Sequence, residues 1–202
     1  LALSIGAPIE QILIAQAKQK PSLTHYAQLA NFRVQQGKFA VAEILFKQAA
    51  QYYHDVNPLP LAWLHTQHGI MYLRMEHYEL AQRYFAAAHE RFPQYYLATE
   101  HLAETELLLG NTQRALALYQ QVSEQTQNPQ FYLGLAETQR QLANEVAAEQ
   151  AQALARIGFE QWLQDENWAQ LQHSAEHFYE TNKKSLSALL VQQNLDNRRN
   201  VD

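Results

Sequence analysis

No cysteine occurs among the 202 residues. Disulfides, thiolate metal sites and thiol nucleophiles are therefore excluded, and the compartment stays open, because a chain without thiols suits either redox environment. Glycine and proline are scarce at six each, too few for a fold made of many tight turns. No apolar run approaches the roughly 18 residues a membrane helix needs, since Gln, Glu or His breaks the longest candidates, and no membrane insertion is expected. Positive charge is thin as well. Fifteen Lys and Arg stand against 20 Asp and Glu, for a formal charge of -5, and their scatter leaves no basic footprint for nucleic acid.

What the sequence does contain is Ala, Leu, Gln and Glu, which favour helix, with a 47% hydrophobic fraction able to build a core. Long helices with short connections follow, and the fold class is all-α. Self-similarity then sets the architecture. An alanine precedes an aromatic by four residues at Ala42/Phe46, Ala81/Phe85 and Ala115/Tyr119, with a weaker copy at Ala148/Gln152, at spacings of 39, 34 and 33 residues. A small residue follows a larger one before each of these, at Leu29-Ala30, His68-Gly69, Leu102-Ala103 and Leu135-Ala136. Between the two patterns lie breaks in the apolar phase, at Gln36-Gly37-Lys38-Phe39, Met75-Glu76-His77-Tyr78 and Leu109-Gly110-Asn111-Thr112. Each unit thus reads as two helices that cross closely at a small residue, with the aromatic one turn on filling the gap to the next pair.

These residues resemble the tetratricopeptide repeat family, whose pattern is W-x2-L-G-x2-Y, then A-x3-F, then P. The second unit matches with His65, His68, Gly69, Tyr72, Tyr78, Ala81, Phe85 and Pro93, the tryptophan and leucine positions both being histidine. The first supplies Tyr26, Leu29, Ala30, Gly37, Phe39, Ala42 and Phe46, with Pro58 late because its second helix is expected to run on through Gln51-Tyr52-Tyr53. The third supplies Leu102, Ala103, Gly110, Ala115 and Tyr119, and the fourth Leu135, Ala136 and Ala148. The resemblance implies a right-handed superhelical solenoid of antiparallel helix hairpins, of the kind found in longer bacterial arrays. Its expected units are 22–58, 61–93, 95–128 and a degenerate 129–157. A helix at 9–20 between Pro8 and Pro21 reads as a partial repeat or cap. Helices over 159–202, one bearing Phe159, Trp162 and Trp168 and another Leu186, Leu189, Leu190 and Leu195, lead to a polar end from which the natural protein is expected to continue.

A stack of hairpins curves and presents the first helix of every unit on its concave face. Helix positions facing away from the partner helix place Asn31 and Gln35 there from the first unit, together with Thr24, Ala27 and Val34. The second gives Trp63, Thr66, Ile70, Leu73 and Arg74. The third gives Leu97, Glu100, Glu104, Leu107 and Leu108, and the fourth Leu133, Glu137 and Arg140. Apolar anchors mixed with three carboxylates suit a polypeptide with apolar side chains and a basic residue. The competing reading makes Trp63, Leu73, Leu97 and Leu107 core, and the glutamates a solvated face. The acidic chaperone tails bound by some members of the family require a clamp of Lys, Asn and Arg. Of that clamp only Asn31 is present, with Ala27, Gln67, Leu97 and His101 at the other positions, so such a partner is not expected.

Nine histidines raise the question of chemistry. His65 and His68 lie one helical turn apart with His101 on the next unit, and Glu100 or Glu104 could complete a cation site. Both are packing positions of the repeat, however, and interior histidines are expected instead. His173-Ser174-Ala175-Glu176-His177 lacks the His-Glu-x-x-His order of a zinc hydrolase. Glu104 and Glu106 point to different faces, and the chain has neither a Gly-x-Ser-x-Gly elbow nor a phosphate-cradling glycine loop. The expectation is a scaffold that binds a partner polypeptide, without catalytic residues, cofactor or metal, whose open stack ends suit self-association. The alternative is a module that positions substrate for a larger enzyme or envelope-assembly protein.

Overall fold

Four chain reversals are made with one backbone device. In the computed structural model, which describes residues 2–164 with side chains from 8 to 162, helices α2 (Leu23–Gln35) and α3 (Phe39–Gln51) are joined through Gly37, at φ 71. The Gly37 N–H donates to the Val34 carbonyl and the Lys38 N–H to that of Arg33, at 3.0 and 2.9 Å. This is the Schellman arrangement, in which a left-handed residue closes the last helical turn. It recurs between α4 (Leu59–Arg74) and α5 (Tyr78–Arg91) at Glu76, φ 58, with bonds from Glu76 to Leu73 and from His77 to Tyr72. It recurs again between α6 (Tyr96–Leu108) and α7 (Thr112–Thr126) at Gly110, φ 78, and between α8 (Pro129–Gln141) and α9 (Glu145–Gln164) at Ala143, φ 59. Ahead of these runs α1 (Ala2–Gln19).

The helices form two compact units that divide between Gln125 and Thr126. In the first, α1 packs on α2, α2 on α3, α3 on α4, α4 on α5 and α5 on α6, while the first helices α2, α4 and α6 also touch in succession. The small residues sit at the crossings: Ala42, Ala81 and Ala115 are fully buried, as are Ala30 and Ala103. Gly69 is the tightest of them. A Cβ there would lie 2.6 Å from the Phe85 ring, so only glycine lets α4 and α5 approach. Phe46 and Phe85 fill the space between hairpins with at most 1% of their surface exposed, each burial contributing roughly 1.5–3 kcal/mol. Glu106 is buried beside the third turn, where it accepts from Asn111 at 2.7 Å and Gln82 at 3.0 Å and pairs with Arg114 at 3.0 Å, tying α5, α6 and α7 together.

In the second unit, Asn128 caps α8 by accepting from the Gln130 N–H, with Pro129 at the first turn. Ala155 and Phe159 of α9 form a core with Tyr132, Leu133 and Trp162.

Three boundaries differ from the sequence expectation. Pro8 lies inside α1 rather than before it, at the local cost of one i to i-4 hydrogen bond. Helix α3 stops at Gln51, and Tyr52 turns back to stack on Tyr26 at 5.3 Å. Helix α9 runs unbroken past 157–159, where no proline or capping sequence interrupts it, and Phe159 and Trp162 belong to it. The helices expected around Trp168 and Leu186–Leu195, and the pair His173/His177, fall outside the described residues.

Candidate binding face

The first helices α2, α4 and α6 lie side by side, which brings their outward positions onto one surface of the first unit. Asn31 on α2 donates to Gln67 on α4 at 2.9 Å, bridging two hairpins, and Gln35 is exposed at the end of α2. On α4, Trp63, Ile70 and Leu73 are half-buried and Arg74 is exposed. They fall at i, i+7, i+10 and i+11, close to one helical stripe. On α6, Leu97 and Leu108 are exposed and Leu107 is half-buried.

Several residues assigned to this face are turned inward. Thr66 is buried and donates to the Ala62 carbonyl at 3.0 Å. Ala27 and Val34 are core as well, and Glu100 keeps only 8% of its surface exposed. Ala27, Thr66 and Glu100 each stand one turn after Thr24, Trp63 or Leu97, on a covered side of their helix. Leu133, Glu137 and Arg140 belong to the second unit, where Arg140 pairs with Glu137 at 3.7 Å and donates to Gln152.

The histidines separate into two environments. His68 is stacked among Phe46, Tyr72 and Tyr84, with centroids 4.8, 5.2 and 4.0 Å away. Its Nε2 is buried without a hydrogen-bond partner among the described residues. Burial dominates there and pushes the imidazole down to about 4, against a smaller upward pull from Glu43. His65 is lowered by burial too. These two are packing residues, as expected.

His101 is not grouped with them. Its Nδ1 lies 3.3 Å from Glu100 Oε2 and 3.4 Å from Glu104 Oε2, and its ring stacks on Phe85 at 5.1 Å. Burial works against its charge, but the Glu100 carboxylate and then Glu104 outweigh it and push the imidazole up to about 9. Burial raises the neighbouring Tyr119 hydroxyl well above its ordinary value, and the same two carboxylates add to the effect. The two carboxylates beside His101 thus favour the charged form of its ring. The sequence grouped His101 with His65 and His68 and offered Glu100 or Glu104 to complete a site; His101 lies instead beside both glutamates, which stand at i-1 and i+3 along α6.

Among the described residues no helix is long and apolar enough to cross a membrane. Paired antiparallel helices that repeat a turn, a small crossing residue and an aromatic wedge define a helical-hairpin repeat protein. The family model described as "Tetratricopeptide repeat" matches residues 72–137. Solved structures share the fold. One is from a study titled "Functional Characterization of Pseudomonas Aeruginosa pilF", with TM-score 0.66 at 16% identity over 96% of this chain and 92% of that one. MamA from Desulfovibrio magneticus RS-1 aligns with TM-score 0.66 at 12% identity, over 77% and 86%. YrrB, described as "a TPR protein with an unusual peptide-binding site", aligns with TM-score 0.60 at 17% identity, over 76% and 78%. No curated protein matches the sequence significantly.

Proposed function

We propose that the chain is a non-catalytic scaffold whose first-helix face, on α2, α4 and α6, binds an extended or helical segment of a partner polypeptide. The observation that carries this reading is the row Trp63, Ile70 and Leu73 on α4 beside Leu97 on α6, none of them buried, with polar Asn31, Gln35 and Arg74 at its margin. Large side chains with solvent-facing area between polar flanks are what a peptide groove offers. The peptide-binding site named for the structurally similar YrrB favours the same use of the fold.

Selection of binders from a random peptide display library, followed by fluorescence polarisation, tests the proposal. Trp63→Ala combined with Leu97→Ala is expected to weaken the selected peptides by about 30-fold, as removal of interface anchors does, while circular dichroism remains helical. Peptides indifferent to both substitutions would refute the assignment.

A further inference from the structure

We propose that Glu100, His101 and Glu104 form a binding site for a divalent transition-metal ion such as Zn2+. The three side chains bring one imidazole nitrogen and two carboxylate oxygens within 4.8 Å of one another. Their spacing is informative. A charge-assisted hydrogen bond between imidazolium and carboxylate closes to about 2.7–2.9 Å, whereas His101 Nδ1 stands 3.3 and 3.4 Å from its two carboxylates. Around a tetrahedral ion with bonds of about 2.0–2.2 Å, neighbouring donor atoms lie roughly 3.3–3.5 Å apart. Both nitrogen–oxygen separations fall in that range; the carboxylate oxygens, within 4.8 Å of each other, would draw together on an ion that takes the place of the imidazole proton.

The surroundings support the assignment. These are not solvated surface acids: the Glu100, His101 and Glu104 side chains are only 10%, 17% and 17% exposed. Stacking on Phe85 fixes the plane of the imidazole. A mixed nitrogen and oxygen set suits zinc and similar borderline ions, while magnesium and calcium take oxygen donors. Three protein donors also leave a coordination position for water or for a side chain of a bound segment. The sequence pointed away from a metal because His65 and His68 are packing residues, and this cluster uses neither. The proposal rests on the geometry of the cluster and does not depend on the peptide-binding reading.

The test uses the full chain after chelator treatment, in a His173→Ala/His177→Ala background, because a pair at i and i+4 can bind zinc adventitiously. Calorimetric titration with Zn2+ is expected to give one equivalent bound, weakened at least about 10-fold by Glu104→Gln. In the unsubstituted chain, Co2+ is expected to broaden the ring resonances of Phe85 and Tyr119. Absence of zinc binding in the double-alanine background, or unchanged affinity in Glu104→Gln, would overturn the proposal. Should Glu104→Gln lose helicity, the cobalt experiment decides, and unbroadened Phe85 and Tyr119 signals would refute the site.

Discussion

Exchanging glycine and non-glycine residues at the four hairpin turns should produce stability changes of opposite sign. Gly37, Glu76, Gly110 and Ala143 share one left-handed backbone conformation and the same two closing hydrogen bonds. For an L residue that conformation costs about 1–2 kcal/mol, while glycine loses roughly 0.5–1 kcal/mol more chain entropy on folding. The balance favours glycine by about 0.5–1 kcal/mol at each turn. No atom lies within 4 Å of a Cβ built at Gly37 or Gly110, so contact plays no part in the exchange there. Gly110→Ala should therefore lower the melting temperature and Ala143→Gly should raise it, each by about 1–4 °C for a chain of this size. Gly37→Ala and Glu76→Gly should follow the same pattern. Thermal melts of the four variants, monitored by circular dichroism, provide the assay. A destabilising Ala143→Gly or a neutral Gly110→Ala would mean that the turns are not equivalent and that the repeat register is wrong.

Two further outcomes follow from the packing. Gly69→Ala should cost roughly 1–3 kcal/mol in urea denaturation, because the added methyl meets the fully buried Phe85 ring and overpacking of that kind outweighs the helix preference of alanine; paired with Phe85→Leu the loss should shrink. His68, held at about 4 in the folded chain against 6.5 unfolded, contributes stability that is complete above pH 6.5. That contribution is lost as pH falls toward 4, since the unfolded state binds the proton first. The loss amounts to about 3 kcal/mol at ~1.4 kcal/mol per pH unit, and urea midpoints from pH 7 to 4 should show it, with a flatter acid limb in His68→Leu.

Much of the fold could be read from residue size. Ala42, Ala81, Ala115 and Ala148 are all fully buried, because a close helix crossing admits little else, and the same steric need makes them visible as a spacing. The glycine turns were visible for a similar reason. Glu76 and Ala143 were not, since their conformation is imposed by the hairpin and not by their own preference. On the proposed face, helical phase picked out Trp63, Ile70 and Leu97, none of them buried, but could not tell the buried Thr66 and Glu100 from their neighbours. Whether a residue at the edge of a stripe is covered depends on the adjoining helix, and that is a tertiary fact. The approach of Glu100 and Glu104 to His101 was legible as spacing only; its significance came from Phe85 and burial, which fix the ring between the acids.

The claim that the first helices form the working face is tested most directly by site-specific photocrosslinking in the native host. A benzoylphenylalanine probe replaces either Leu97 on α6 or Ile44 on α3, both exposed and on first and second helices respectively. A discrete polypeptide adduct from position 97 and none from position 44 is the predicted result; adducts from position 44 alone would contradict the account.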